Sequence, residues 1–201
     1  MDFTTITKNL KELGYMVSCF ATKTEATEYL ANNIKSTTVG IGGTITGKEM
    51  ALYETLSKEN KVAWHWYAEE GTPMADALSD AAQTEVYIAS VNAIAETGEL
   101  VNIDGTCNRL ASTLYGHKKV YFIIGKNKIA PDYDQALSRA RNIAAPLNAR
   151  RLNKNTPCAK GELRCYNCKS PDRICKALTV FWECPKGCEY EILLINENLG
   201  Y

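Results

Sequence analysis

The sequence predicts an α/β fold, a single domain with a mainly parallel sheet flanked by helices. Three observations predict it. Short apolar runs alternate with amphipathic segments through most of the chain, the pattern of strand–helix–strand units. One run, "KKVYFIIG", is almost continuously apolar, as a strand buried on both faces must be. The 201 residues suffice for one sizeable core rather than two.

Each element follows from local pattern. "TTITKNLKELG" sets Ile6, Leu10 and Leu13 at helical spacing and stops at Gly14. "YMVSCFA" reads as a strand, in which Cys19 is expected to be a buried, inert thiol. "KTEATEYLANNI" is a helix with Ala26, Leu30 and Ile34 on one face, and "STTVGIGG" is a strand entering glycines. "GKEMALYETLSK" reads as one helix, "KVAWHWY" as a strand of period two, "PMADALSDAAQ" as a helix. "EVYIASVNAI" reads as one strand with "GELVNID" as its hairpin partner. "NRLASTLYG" is a helix closed by Gly116, and "KKVYFIIG" follows as the central strand. "PDYDQALSRARNIAAPLNARRL" reads as a long amphipathic helix. Its buried stripe is Tyr133, Leu137, Ala140, Ile143, Ala144 and Leu147, with Pro146 kinking or ending it. "YEILLINENLGY" supplies a closing strand, so residues 156–189 read as a cysteine-rich insertion within one domain spanning 1–201.

Composition narrows the function classes. Lys+Arg and Asp+Glu balance at 23 each, so no global field draws the chain to nucleic acid or an anionic membrane. No apolar run has the length of a membrane span, and "MDFTTITKNLKELGY" lacks a signal-peptide core. The expectation is a cytoplasmic protein, in which a disulfide framework is disfavoured.

In α/β folds ligands gather at the carboxyl ends of strands, and three such ends are polar here. "VGIGGTITGKE" runs a strand through Gly40, Gly42 and Gly43 into a helix with Thr44 or Thr46 as N-cap. Its backbone N–H groups could cradle an anion, and a tight turn needing glycine explains the same residues. "NIDGTCNRLA" has a turn at Asp104-Gly105, then Asn108 and Arg109 opening a helix; Arg109 could pair with an anion. "IIGKNKIAPD" follows the central strand with Gly125, Lys126, Asn127 and Lys128. His65, between Trp64 and Trp66, would face away from both on a strand and reads as structural, while His117 reads as part of an exposed turn.

Together, "VNAIAETGELVNIDGTCNR", "VYFIIGKNKIAPD", "ALSRARNIAAPLNARRL", "TPCA" with "CYNCKSPDRIC", and "ILLINENLGY" resemble the lactate-utilisation (LUD domain) family, in particular its subgroup with a C-terminal cysteine motif. The resemblance runs from about Thr38 to Tyr201. It implies a fold like the ribose-phosphate isomerase, glucosamine-phosphate deaminase and CoA-transferase group. It also implies a site for a small phosphorylated, carboxylate or CoA-linked ligand at Gly40, Gly42, Gly43, Thr44, Glu49, Asn92, Asp104, Asn108, Arg109, Gly125, Lys126 and Asn127. Cys107 departs from the family, which usually has glycine there. Some members work with iron–sulfur partner proteins in lactate oxidation, which the resemblance implies as partners here; self-association into a homo-oligomer is a separate expectation.

Six of the eight cysteines lie between Thr156 and Glu189. Cys158, Cys165, Cys168 and Cys175 are spaced C-x6-C-x2-C-x6-C, a central pair with an outer cysteine on either side. Ser170-Pro171 reads as the start of a short helix carrying Cys175. Between Cys158 and Lys176, Lys160, Arg164, Lys169, Arg173 and Lys176 outnumber Glu162 and Asp172, a surplus that would offset four thiolates around zinc or around a 4Fe-4S cluster. Cys184 and Cys188 enclose a turn and could pair with Cys165 and Cys168 as a zinc ribbon. The family motif covers the first four, which are the expected ligands.

Two function classes result. One is a redox or transferase-like enzyme component acting on lactate or another small organic acid, or on its phosphorylated or CoA form. The other is an accessory, ligand-binding subunit braced by zinc. Glu49, Glu96 and Asp104 have no fixed acid–base partner in the sequence, which leaves an enzymatic role open.

Overall fold

The computed structural model describes residues 1–201, whose strands sort into two sheets. The first stretch contributes α1 (Thr4–Glu12), β1 (Met16–Phe20), α2 (Lys23–Asn33) and β2 (Thr38–Ile41). Then come α3 (Ile45–Glu49), α4 (Leu52–Leu56), β3 (Lys61–Ala63), α5 (Met74–Ala82) and β4 (Val86–Ala89). β5 (Ala93–Ala95), β6 (Leu100–Asp104), α6 (Asn108–Leu114) and β7 (Lys119–Gly125) follow. A single 3₁₀ turn, Lys126–Lys128, leads to β8 (Ile129–Ala130). α7 (Tyr133–Arg139) and α8 (Ala145–Arg151) flank a π-helical turn, and α9 (Pro157–Lys160), β9 (Ala177–Phe181) and β10 (Glu189–Ile195) end the chain.

Six strands form the main sheet in the order β1-β10-β7-β4-β2-β3, every pair parallel. The second, mixed sheet has the order β8-β5-β6-β9. The expected single α/β domain with a mainly parallel sheet is the architecture observed. The insertion is part of the fold, because β9 pairs antiparallel with β6.

Period-two alternation fills both faces of the main sheet. Tyr87, Phe122, Ile124, Ile192 and Leu194 join Ile6 and Leu10 of α1 in one core. Ile88, Tyr121, Ile123, Leu193 and Ile195 join Leu30 of α2 and Leu52 and Leu56 of α4 in the other. The second sheet stacks on the α1 side, with Ile94, Leu100 and Phe181 in that core, while Ala93, Ala95 and Val101 meet Ala136 of α7 and Ala140 of the π turn after it. Each large side chain removed from water this way contributes about 1.5–3 kcal/mol.

Several elements depart from the local pattern. The helix expected across "GKEMALYETLSK" breaks at Ala51, which has φ +50°. On one straight helix Met50 would point away from Leu52 and Leu56; the break buries all three in one core. Strand β3 stops at Ala63, and Trp64–Tyr67 is a turn closed by Tyr67 N–H to Trp64 O at 2.8 Å. "EVYIASVNAI" is two strands in two sheets, with Ser90–Asn92 crossing between them. The long helix continues past Pro146. The proline has no N–H, and the wide π turn before it relieves the clash of its ring with the preceding carbonyls. That turn leaves Ile143 43% exposed, outside the expected stripe. Cys19 is exposed because β1 is an edge strand. His117 is buried, its Nδ1 2.7 Å from Thr84 O and its ring stacked on Tyr87. Ser170–Arg173 is a turn rather than a helix start, with Arg173 N–H bonded to Ser170 O.

Candidate functional site

The carboxyl ends of β2, β4, β6 and β7 open onto one cavity of about 680 Å³. β2 contributes Gly43 and Thr44, and the turn after β3 contributes His65 and Trp66. The β4–β5 crossing contributes Ser90–Asn92, and the β6–α6 turn contributes Ile103–Thr106, Asn108 and Arg109. The far wall comes from α8 and the cysteine loop, with Arg151, Lys154, Asp172, Arg173, Ile174 and Lys176, and from Gly200 and Tyr201.

Of the residues expected at a ligand site, Gly43, Thr44, Asn92, Asp104, Asn108 and Arg109 line this cavity. Arg109 is held by the β6 end: Nη2 donates to Ile103 O at 2.7 Å, and Nε stands 3.5 Å from Asp104 Oδ2. Asn92 Oδ1 accepts from Ile103 N at 2.7 Å and fixes the same turn.

The other expected residues serve the frame. Gly40 lies under α5, where a Cβ would strike the Ala81 carbonyl and the Tyr87 ring. At Gly42 a Cβ would sit 2.9 Å from the Tyr87 hydroxyl and 3.1 Å from Arg109 Cγ, so the missing side chain is what lets Arg109 pass. Glu49 accepts from Gly200 N at 2.8 Å. Asn127 accepts from Leu199 N and donates to Gly200 O, and Lys126 N–H donates to Glu197 O. Lys126, Asn127 and Glu49 thus pin the last residues, which brings Gly200 and Tyr201 to the cavity wall.

Of the two lysines at the third polar strand end, Lys128 rather than Lys126 reaches the cavity. The 3₁₀ turn swings it inward until only 4% of it is exposed. Its Nζ donates to Ser90 Oγ at 2.8 Å and to Thr46 Oγ1 at 3.0 Å, and it pairs with no carboxylate. Burial, with Arg139 and Arg109 nearby, pushes the amine down to about 7. A polar Ser90 inside the apolar run "YIASV" was the one signal of this floor. His65 is held below its ordinary pKa by burial, so the imidazole is neutral at pH 7.

Around the cavity, Arg109, Lys128, Arg151, Lys154, Arg173 and Lys176 face only two acidic side chains, Asp104 and Asp172. A chain with balanced charge has concentrated its cations here.

A second, small cavity of about 20 Å³ adjoins the first. Cys158, Cys165, Cys168 and Cys175 all line it, and Ala145, Arg173 and Ile174 line both. Asn167 N–H points to Cys165 Sγ at 3.4 Å and Arg141 Nη2 lies 3.7 Å from it. Arg173 donates to Cys168 O and to Cys175 O at 2.8 Å each. Cys184 and Cys188 lie elsewhere, packed against the core beneath α1. As the side chains stand, no three His, Cys, Asp or Glu are arranged to grip a metal ion. In donor type the four thiols suit a soft metal or cluster. The loop from Gly161 to Lys176, without helix or strand, would have to draw them together.

The family model for the LUD domain matches residues 4–194. The chain belongs to the LUD domain family. The match takes in α1, β1 and α2 as well as the stretch from Thr38 onward. A crystal structure of a DUF162 family protein from Deinococcus radiodurans resembles this LUD domain over 97% of this chain and 99% of that one, with TM-score 0.53 and 9% identity. At that identity the likeness speaks for the fold alone. The eIF2B beta structure from Chaetomium thermophilum covers 66% of this chain and 44% of its own, with 14% identity and TM-score 0.34. No curated protein matches this LUD domain in sequence. No helix is long and apolar enough to cross a membrane.

Proposed function

We propose that this LUD domain binds a small organic acid, of the lactate type or its phosphorylated or CoA-linked form, in the cavity at the strand ends, beside a metal or iron–sulfur centre held by Cys158, Cys165, Cys168 and Cys175. The observation that carries the reading is the buried Lys128 amine on the cavity floor, held by hydroxyls and by no carboxylate. An anion entering the cavity meets a surplus of cations, with which it can form charge-assisted hydrogen bonds. Arg109 is pre-set by Ile103 and Asp104, so little side-chain freedom is lost on binding.

The four thiolates would hold the metal centre, and Arg141 and Arg173 would offset their charge. A 4Fe-4S centre would supply one-electron transfer next to the acid; zinc would brace the loop. The shared wall at Arg173 and Ile174 supports a working link between the two cavities.

The test is calorimetry with L-lactate, inorganic phosphate and coenzyme A on anaerobically purified protein, together with iron and zinc analysis. Lactate or phosphate binding that weakens in Lys128→Met supports the acid site; no binding of any of the three ends it. Metal lost in Cys158→Ser and kept in Cys184→Ser supports the four-cysteine centre; the reverse points to the zinc ribbon. Stoichiometric zinc in a chain that binds none of the acids would identify an accessory subunit.

A further inference from the structure

Lys128 is more than a buried cation, as the hydrogens around it show. Ser90 Oγ donates its single hydrogen to Ile123 O at 2.6 Å. Thr46 Oγ1 donates its hydrogen to Leu199 O at 3.3 Å. Both hydroxyls therefore present lone pairs to Lys128 Nζ and accept from it, at 2.8 and 3.0 Å. Two accepting neighbours use two N–H hydrogens. An uncharged amine supplies both of these and keeps its lone pair free.

The charged surroundings agree. Arg139 from α7 and Arg109 from α6 lie on the cationic side, and the nearby Glu49 of α3 is engaged by Gly200 N. Asp104, the acid on the cavity wall, faces Arg109. Burial and the two guanidinium groups favour the neutral amine, which titrates at about 7. A lysine made nucleophilic by burial and cationic neighbours, on the floor of a cavity, is the arrangement that attacks carbonyl carbon.

We propose that Lys128 is a covalent catalytic residue that forms a Schiff base with a small carbonyl acid, of the 2-oxo acid class, bound in this cavity. The proposal rests on the acid-binding reading above and narrows it to acids that carry a ketone. The guanidinium hydrogens of Arg109 that Ile103, Asn92 and Asp104 leave unused would take the carboxylate, which turns the ketone toward Nζ. The Nζ lone pair forms the C–N bond while the C=O π pair moves to oxygen. The two hydrogens of the amine follow to that oxygen, the C–O bond breaks, and water leaves. Amine plus ketone become imine plus water, with no change in oxidation state and no co-reactant. Ser90, hydrogen-bonded to Nζ, is placed to pass the protons.

The experiment uses the full chain at neutral pH with pyruvate as the smallest 2-oxo acid, borohydride to reduce any imine, and peptide mass mapping. Lys128 should carry the reduced adduct. At pH 7 its free-amine fraction exceeds that of an exposed lysine on the order of 10³-fold, so Lys126 and Lys154 should stay unlabelled. Labelling should rise with pH to half its maximum near 7. Propionate, which has the carboxylate and no ketone, should give no adduct and should suppress labelling by pyruvate. Because the modified lysine is mapped in the unaltered protein, the result does not depend on a variant that folds. An unlabelled Lys128, or labelling spread evenly over surface lysines, overturns the proposal. If propionate binds by calorimetry and pyruvate is not trapped, the acid site stands and the Schiff base falls. If neither acid binds, both readings fall together.

Discussion

β7 begins and ends near a lysine, and the two are treated in opposite ways. Lys119, at the amino end, has its ammonium 2.9 Å from Glu191 Oε2 and 3.8 Å from Glu189. Burial alone would lower its pKa, yet Glu191 and Tyr121 raise it above the ordinary value. Lys128, just past the carboxyl end, is buried more deeply and meets two hydroxyls and two neighbouring guanidinium groups instead of an acid. The contrast teaches where the fold spends its stability. At one end of the parallel sheet a charge is buried with its partner; at the other the partner is withheld, which costs stability and leaves a reactive group in a cavity.

The largest expected effect lies at the amino end. Glu191 is 3% exposed and also accepts from Ser18 Oγ and Tyr29 Oη. Burial raises its pKa, but the bonds from Lys119, Tyr29 and Ser18 outweigh that and hold the carboxyl below its ordinary range. Glu191→Ala should destabilise the fold by about 2–4 kcal/mol, since it strands a partly buried ammonium and two hydroxyls. Denaturant unfolding at pH 7 measures it. Glu191 contributes stability above its unfolded pKa near 4.5 and loses it as pH falls through the lowered folded value. Lys119 contributes below its unfolded pKa near 10.5 and loses it as pH rises through the raised folded value. The variant should therefore differ most from the parent between those limits. A loss under 1 kcal/mol would erase the contrast between the two ends.

At the carboxyl end the sign reverses. Between about 7 and 10.5 the unfolded chain holds a proton on Lys128 that the folded chain has shed. Folding pays that proton in full below pH 7, and the cost shrinks as pH rises toward 10.5. Lys128→Met removes it, offset in part by two lost hydrogen bonds. The variant should be more stable than the parent by about 1–3 kcal/mol at pH 7, with the gap closing toward pH 10. Lactate or phosphate affinity should fall by about 10-fold, the loss of one hydrogen-bonding partner in the cavity. A destabilised variant at pH 7 would mean that Lys128 is a structural group like Lys119.

Much of this was legible before folding. The alternation of runs gave the single parallel-sheet domain, because a sheet buried on both faces leaves no other place for "KKVYFIIG". The strand ends at Gly43–Thr44 and Asp104–Arg109 stood out because glycine and polar residues interrupt apolar runs there. In "GKNKIAP" both lysines suit an anion, and which of them enters the site was hidden, because the 3₁₀ turn alone sends the second inward. The far wall was hidden too, since Arg151, Lys154 and Tyr201 reach the cavity only through tertiary contacts. "AWHWY" misled because strand period was read across a turn that has none.

A smaller effect concerns strain beside the site. Cys107 caps α6 with φ +69°, in the left-handed region that glycine adopts freely. An L residue in that region costs about 1–2 kcal/mol, and glycine in its place gives back about 0.5–1 kcal/mol in unfolded-state entropy. Cys107→Gly should thus stabilise by up to about 1 kcal/mol in thermal unfolding. Its side chain does not line the cavity, so lactate or phosphate binding should be unchanged. A clear change in affinity would place the thiol in the site after all.

The smallest effect is the sharpest control, because Lys126 differs from Lys128 only in where one turn points it. Lys126 is partly exposed, lies outside the cavity lining, and holds Glu197 O through its backbone N–H, which any residue but proline would keep. Its side chain has no ion pair. Lys126→Ala should therefore change stability by no more than about 0.5 kcal/mol at any pH between 6 and 9, as for an ordinary surface substitution. Acid affinity should change less than about twofold, the share of a distant, screened charge. Read side by side with Lys128→Met, the pair separates position from charge, since both variants remove one lysine from the same loop. Equal losses of affinity would mean that only the summed positive potential matters, and that the buried amine has no special standing. A loss confined to Lys128 would assign the effect to the one lysine that the 3₁₀ turn carries to the floor of the cavity.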